Sequence, residues 1–278
     1  LSVKYRVTTQ DGLMAGGPMY VLERGMNAKW LGIIFAALTA VAAFGIGNMV
    51  QANSISSLVN ETLHISPWIS GSIMTVLTAI VILGGIKSIA RVCEMLVPFM
   101  AVFYVIGCSS ILIIRADTIP ETVVLILKNA FTGTAAVGGF IGAGVREAIR
   151  YGIARGLFSN ESGLGSAPIV AAAAQTSNPV RQALVSSTGT FWDTVVVCAM
   201  TGLVVVNSGA WTKGLNGAGL TKAAFSDLPI IGPIILTVGL LTFVFSTILG
   251  WEYYGEKAAE YLLGQKVITP YRILWVVF

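Results

Sequence analysis

The chain has 278 residues, of which 55% are hydrophobic and only 11% are charged. A typical soluble domain carries about 25% charged residues, so this composition excludes a water-soluble protein and indicates a bilayer as the solvent. The 17 Lys and Arg residues outnumber the 13 Asp and Glu residues, but they are scattered between apolar runs, whereas a nucleic-acid binder clusters them on one surface.

Residues 1–29 are polar and punctuated by glycine, which predicts a loop with short helical pieces. The apolar runs that follow are long enough, at 1.5 Å per residue, to cross a hydrocarbon core about 30 Å thick. The predicted spans lie near residues 30–52, 67–86, 93–114, 134–175, 182–206, 229–251 and 271–278, the fourth broken and the last only a start. We therefore predict an all-α polytopic membrane protein with one transmembrane domain over 1–278. We expect a fragment, because residue 1 is not Met and the end lies inside an apolar run.

Four predicted elements connect the spans. Residues 54–66 are expected to form a short loop and residues 87–91 a tight basic turn. Residues 117–131 and 252–266 have the pattern of amphipathic helices.

The distribution of Lys and Arg over alternate loops predicts the orientation. Ten fall on the side that includes residues 1–29, and four fall on the other side, provided that 132–175 cross the membrane once. By the positive-inside rule, residues 1–29 are then cytoplasmic.

Residues 156–175 interrupt an apolar region with glycines, a proline, serines, an asparagine and a glutamate. Backbone that leaves a helix in lipid must be buried in protein or line a wet cavity, so a broken helix at this depth suggests a binding site. The two half-helices would point carbonyls and amides into the gap, which suits a zwitterionic or cationic guest. A glycine hinge packed against neighbouring helices explains the composition equally well, but Glu161 favours a functional gap, because buried ionisable groups in membranes are costly.

Three other polar features each leave two interpretations open. The cluster of Asn48, Gln51 and Asn53 either caps the first span or, because Asn48 and Gln51 share a helix face, contacts a ligand through these two residues. Asp193 pairs with a cation or with an arginine of the charged helix before the break, and the structural pairing is favoured. The Ser246 and Thr247 hydroxyls either bond back to their own helix or offer hard oxygen ligands to a small monovalent cation.

The sequence argues against enzymatic chemistry. His64 is the only histidine and is expected in a loop without a nucleophile motif, and no HExxH or complete GxSxG motif occurs. The three cysteines lack CxxC spacing, so they predict neither a disulfide framework nor a zinc site. We expect no cofactor beyond a coupling ion.

Three motifs resemble one transporter family. They are GGPMY at 16–20, GLFSNESGLGSAP at 156–168 and GWEYYGEK at 250–257. Together they are similar to the alanine or glycine:cation symporters, the sodium:alanine symporter family of prokaryotes. The likeness runs over the whole chain, and the long middle motif is the most specific.

This resemblance implies a leucine-transporter-type bundle of two inverted five-helix repeats. The broken helix around residues 156–168 is then the sixth core helix, and the first core helix precedes residue 1. The substrate-binding residues expected on this basis are Gln51, Phe158, Ser159, Asn160, Gly163 and Trp251. Glu161 is expected to be held by partners, and Ser246 and Thr247 to lie at a sodium site.

The expected function is sodium-coupled symport of a small neutral amino acid, alanine or glycine, across the cell membrane. The expected partners are this substrate, sodium and the lipid bilayer, with no nucleic acid. A carrier for another small solute remains open. An ion channel is less favoured, because a pore is usually lined by repeated rings from several subunits, and only one broken segment is present.

Overall fold

A computed structural model describes residues 1–9, 11–130, 161, 163–215, 217–226, 228 and 231–278. The helices there are α1 (Ser2–Tyr5), α2 (Pro18–Gly25), α3 (Lys29–Ala42), α4 (Val50–Leu63), α5 (Pro67–Leu83), α6 (Gly85–Ile114), α7 (Ile119–Ala130), α8 (Ala167–Ala171), α9 (Pro179–Thr190), α10 (Ala199–Asn207), α11 (Gly217–Phe225), α12 (Ile231–Leu263) and α13 (Ile268–Val277). Two π-helical segments, Ala43–Met49 and Phe191–Cys198, join α3 to α4 and α9 to α10. Short 3-10 turns lie at Ala116–Thr118, Ala210–Lys213 and Gln265–Val267. Strands β1 (Val7–Thr8) and β2 (Met14–Ala15) form an antiparallel hairpin, with Val7 opposite Ala15.

Within the described ranges, four helical stretches are long and apolar enough to cross a membrane: Lys29–Leu63, Gly85–Ile114, Pro179–Asn207 and Ile231–Leu263, of 35, 30, 29 and 33 residues. Helix α5 is a shorter apolar helix. Thirty helical residues extend about 45 Å, more than a hydrocarbon core of about 30 Å. The prediction of an all-α polytopic membrane protein is confirmed, whereas the exact set of spans stays a prediction.

Two predicted connections are wrong. Residues 54–63 are not a loop but continue helix α4, which ends only at His64 in a left-handed conformation with φ 55°. The polar residues are accommodated because Ser54 donates its hydroxyl to the Val50 carbonyl at 2.8 Å, while Ile55 and Leu58 are buried. The basic residues 87–91 lie inside α6, because the chain turns earlier, at Gly85, whose φ of 70° suits glycine.

Two predicted helix boundaries are also wrong. The span expected to end at residue 251 and the amphipathic helix expected from 252 are one continuous helix, α12. It is not amphipathic there, since nine of the ten residues from 251 to 260 are buried. The half-helix expected to run through the alanines at 171–174 stops at Ala171, so α8 has only five residues.

The chain divides into two compact units, each with its own interior. The first comprises Leu1–Ala101, Gly165–Ser187 and Thr237–Phe278. Its core cluster consists of Ala15, Met19, Tyr20, Ala36, Ile169, Tyr253 and Ala258. The second comprises the described parts of Val102–Leu164 and Thr188–Leu236. There the Tyr104 and Thr201 hydroxyls lie 2.8 Å apart, and Asn207 donates its side-chain amide to Thr118 and Thr122 at 2.8 and 3.0 Å.

Candidate functional site

The Gly16-Gly17-Pro18 motif packs on the segment that follows the predicted break. A Cβ atom on Gly16 would lie 2.5 Å from the Cβ of Ala172, and one on Gly17 would lie 2.8 Å from Cγ1 of Ile169. Real carbon atoms in contact are about 3.5–4.0 Å apart, so only glycine allows this approach. A Cβ atom on Gly165 would lie 3.3 Å from Cγ of Pro18. We call this contact the clasp; it brings together the two motifs from the N-terminal region and from the middle of the sequence.

Arg6 binds the C-terminal end of the same segment. Its guanidinium donates to the carbonyls of Ala172 at 3.1 Å, Ala174 at 2.7 Å and Thr176 at 2.9 Å. These carbonyls follow the end of α8, where the backbone has left the helix and its oxygens need other donors. Arginine presents several N–H groups in a fixed plane, so a single side chain satisfies all three.

The described part of the break is non-helical. Glu161 has φ 58°, which is uncommon for a residue other than glycine, and its carbonyl accepts the Leu164 N–H at 3.1 Å. Gly163 is exposed in this turn, and a regular helix begins at Ala167. The non-helical residues 163–166 agree with the predicted C-terminal end of the break, while a helix before them stays a prediction. The preceding half-helix lies outside the described residues, as do three predicted substrate contacts: Phe158, Ser159 and Asn160.

Gln51 and Trp251 lie beside the first π-helical segment. Gln51 donates its side-chain amide to the Ile46 carbonyl at 3.1 Å, five residues earlier, where the widened turn alters the usual backbone pairing. Gly47, in the same segment, packs against the Trp251 side chain so closely that a Cβ atom would overlap it. Trp251 is only 4% exposed, and its ring meets Tyr254 edge-on at 5.6 Å. Short π-helical segments are frequent at functional sites, so this part of α3 to α4 is a candidate site.

Ser246 and Thr247 both bond back to their own helix. Their hydroxyls donate to the Phe243 carbonyl at 2.9 and 2.8 Å. The Ser246 oxygen also lies 3.7 Å from the sulfur of Met100. The back-bonding interpretation is thus observed, yet each hydroxyl oxygen retains lone pairs for a cation, because donation uses only its hydrogen. The sodium role stays a prediction.

A small, partly polar cavity of about 120 Å³ lies between α4, α5, α12 and α13. Its polar lining includes Asn48, Ser56, Thr75 and Thr78. Asn48 donates its side-chain amide to the Trp275 carbonyl at 2.8 Å. Since one water occupies about 30 Å³ of liquid, the cavity has room for a few waters. Asn48 therefore packs between helices rather than capping the first span.

A buried charge cluster, which the sequence analysis missed, lies on α12 and α13. We define it as Glu252, Glu256, Lys257, Glu260 and Arg272. Lys257 Nζ lies 2.6 Å from a Glu260 oxygen and 3.9 Å from a Glu256 oxygen, and Arg272 Nε lies 2.6 Å from the other Glu256 oxygen. The spacing 252, 256, 260 was a usable signal, because residues four apart share one face of a helix. The predicted amphipathic helix at 252–266 contains this face, but an amphipathic pattern does not indicate that the charged face is buried.

The charge cluster also influences α2. Tyr20 is buried against it, and its ring meets the Tyr261 ring edge-on at 5.0 Å. Burial raises the pKa of Tyr20 to about 12, and the negative charge of Glu260 adds to this effect. Tyr20 is therefore neutral at physiological pH.

Comparison with known proteins identifies the family. The model of the sodium:alanine symporter family matches residues 1–278. The chain is 50% identical over 284 residues to the sodium/alanine symporter AgcS of Methanococcus maripaludis, with 99% of this chain and 62% of AgcS covered. It is 49% identical over 280 residues to an uncharacterized transporter of Haemophilus influenzae (99% and 61% covered), and 36% identical over 272 residues to the probable sodium/glutamine symporter GlnT of Bacillus subtilis (97% and 56%).

The chain therefore spans about three fifths of the length of the curated relatives it matches. The matching family model and the relatives agree with the resemblance carried by the three motifs, and they describe transporters rather than enzymes. This chain belongs to the sodium:alanine symporter family.

Proposed function

We propose that the protein containing this chain is a sodium-coupled symporter that carries a small neutral amino acid, alanine or glycine, across the cell membrane. The observation that carries the proposal is the match of one symporter family model to every residue of the chain. The clasp supports it, because two motifs far apart in sequence pack together at a break between apolar helices. An irregular backbone segment beside membrane-spanning helices is the usual setting of a transporter's binding site.

Two sets of residues are proposed to contact the substrate. Phe158, Ser159, Asn160 and Gly163 belong to the break, while Gln51 and Trp251 lie beside the π-helical segment. Gln51 uses one N–H of its amide for the Ile46 carbonyl, which leaves its second N–H and its side-chain oxygen available to a ligand. Trp251 is buried against Gly47, which makes it a rigid wall rather than a mobile arm.

The coupling ion is proposed to be sodium, with Ser246 and Thr247 as oxygen ligands. Both hydroxyl oxygens lie within one turn of α12, and their hydrogens are already donated to the Phe243 carbonyl, which leaves oxygen lone pairs available. Residues 1–29 are proposed to face the cytoplasm, because the side that contains them holds more Lys and Arg. Uptake is then inward, down both the membrane potential and the sodium gradient.

Radiolabelled alanine uptake by a full-length carrier containing this chain, purified and reconstituted in liposomes, tests the proposal. We expect uptake that rises steeply with an inward sodium gradient and collapses when sodium is replaced by choline. Glutamine, after which the relative GlnT is named, serves as a competitor alongside glycine and leucine. Uptake that persists without sodium would contradict symport, and uptake of glutamine in place of alanine or glycine would reassign the substrate.

A further inference from the structure

The charge cluster contains more acids than bases. Three carboxylates and two cations are packed in the same region of α12 and α13. Glu252 is 0% exposed, Glu256 2% and Lys257 3%. Buried charges in proteins are normally paired, so an unequal number leaves one group to be explained.

The unmatched group is Glu252. Lys257 is taken by Glu260 and Arg272 by Glu256, each at 2.6 Å. The nearest cationic atom to Glu252 in the described parts of the chain is Arg272 Nε, at 4.0 Å. Neither carboxyl oxygen of Glu252 has a hydrogen-bond partner among these residues, although both are fully shielded from solvent.

The surroundings of Glu252 offer it no further positive charge. On its own helix the charged neighbours are Glu256 and Lys257, and on α13 they are Arg272 and the neutral Tyr271. The Tyr271 hydroxyl donates to the Ala40 carbonyl at 2.9 Å, so its hydrogen is not directed at Glu252. The terminal nitrogens of Arg272 lie 3.4 and 3.5 Å from the position that a Cβ atom on Gly85 would occupy.

The elements that pack against this part of α12 bring cations to the Glu260 end of the cluster, where Lys29 Nζ lies 3.8 Å from a Glu23 oxygen and the charge of Arg24 reaches Tyr20. The first π-helical segment contributes Gly47 and Ala43, which contact Trp251 and Gly255. Helix α2 contributes Tyr20 and Glu23, which lie at the Glu260 end of the cluster. An ionised Glu252 would therefore depend on Arg272, whose Nε is 4.0 Å away and already bound to Glu256 at 2.6 Å, and would be only weakly compensated.

We propose that Glu252 is a proton-binding site: it holds a proton in this conformation and releases it when the transport cycle exposes it to water. A neutral carboxyl removes this weakly compensated charge without any new partner, and its O–H can donate to an oxygen of Glu256, which lies one turn along the same helix. The release step rests on the transport function proposed above, whereas occupancy by the proton does not. The ligand is a proton rather than a metal ion.

Infrared spectroscopy of the purified full-length carrier tests occupancy. The difference between the spectra of the parent and Glu252→Gln at neutral pH should contain a protonated-carboxyl C=O band. Glu121→Gln, which removes an exposed carboxylate on α7, is the matched control and should give only ionised-carboxylate bands. Ionised-carboxylate bands alone for Glu252→Gln would overturn the proposal, as would a Glu252 signal that changes with sodium rather than with pH.

Stability provides a second measurement. Gln and Met are neutral residues of similar length, so Glu252→Gln and Glu252→Met should both keep the parent's thermal midpoint if Glu252 is already neutral. Failure of both variants to fold would show that the negative charge is required, and would overturn the proposal.

Reconstituted uptake tests the release. One linked proton changes a rate by at most about tenfold per pH unit, so alanine uptake by the parent should vary over pH 5.5 to 8.5, and uptake by Glu252→Gln by less than about twofold. Identical pH profiles in parent and variant would overturn the release step. If the protonated-carboxyl band of Glu252 is observed but the carrier transports no amino acid, the proposed function is rejected and the proton-binding site is retained.

Discussion

The closest contact of the clasp predicts the outcome of one added methyl group. Gly16 is not in a left-handed conformation, so alanine can adopt its backbone geometry without strain. In Gly16→Ala the new Cβ atom would nevertheless lie 2.5 Å from Cβ of Ala172, 3.2 Å from Cβ of Arg6 and 3.3 Å from the Ser2 carbonyl oxygen. The first distance is about 1 Å or more short of a normal carbon contact.

The Ala172 methyl group has no free space into which it could move. Ala172 is 0% exposed, so the two chain segments must separate, and this separation also lengthens the Arg6 bond to the Ala172 carbonyl. Overpacking a well-packed interior typically costs about 1–3 kcal/mol. Each kcal/mol lowers the thermal midpoint by roughly 2–4 °C in domains of 150–250 residues, so a fall of several degrees is expected.

The thermal midpoint of the detergent-purified carrier, followed by loss of the monodisperse chromatographic peak, measures this cost. Ala172→Gly removes the opposing methyl group, so the double variant Gly16→Ala/Ala172→Gly should recover part of the loss. Gly71→Ala is the matched control, because a Cβ atom there meets no atom within 4 Å. A parent-like midpoint for Gly16→Ala, or a double variant no more stable than Gly16→Ala alone, would refute the steric argument.

Three further changes test the site. Thr247→Ala should raise the sodium concentration for half-maximal uptake far more than the alanine concentration, because it removes a proposed ion ligand; equal shifts would argue against that role. Phe158→Val should admit leucine as a competitor of alanine uptake, since excluding larger substrates requires a clash, and continued exclusion would place the wall elsewhere. Arg6→Lys keeps the charge but not the planar set of donors, so it should cost about 1–2 kcal/mol in thermal stability; an unchanged midpoint would show that the three bonds contribute little.

Composition was sufficient to predict the fold class, but it did not predict the residues at which the helices end. Apolar runs of this length have few alternatives in a bilayer, so an all-α membrane protein follows directly. Residues 54–63 were mistaken for a loop because serine and asparagine favour turns when their side chains compete for backbone bonds. In α4 the Ser54 hydroxyl instead bonds to the helix carbonyl four residues earlier, and the apolar face of Ile55 and Leu58 fixes the helix.

The candidate site was predictable where the backbone itself is unusual. Glycine and proline density located the interruption before Ala167, since these residues mark departures from helix locally. The partner of Gly16 was not predictable, because Ala172 lies 156 positions away and only the folded packing brings the two together. The burial of the charge cluster was not predictable for a related reason. The local sequence pattern indicates that Glu252, Glu256 and Glu260 share one face of the helix, but it does not indicate that other helices cover this face.

The clasp and the charge cluster share one packed interior. Ile169, which contacts Gly17 in the clasp, belongs to the same core cluster as Tyr253 and Ala258 on α12. Tyr253 and Ala258 lie on the same two turns of α12 as Glu252, Glu256 and Lys257, and all five residues are buried. Protein interiors are close-packed and resist small continuous deformations, so the segment after the break cannot shift far without disturbing the packing of α12. A displacement of α8 would thus disturb the packing of the helix that carries Glu252, and this shared packing is the physical route by which the proposed transport cycle would reach the proposed proton site.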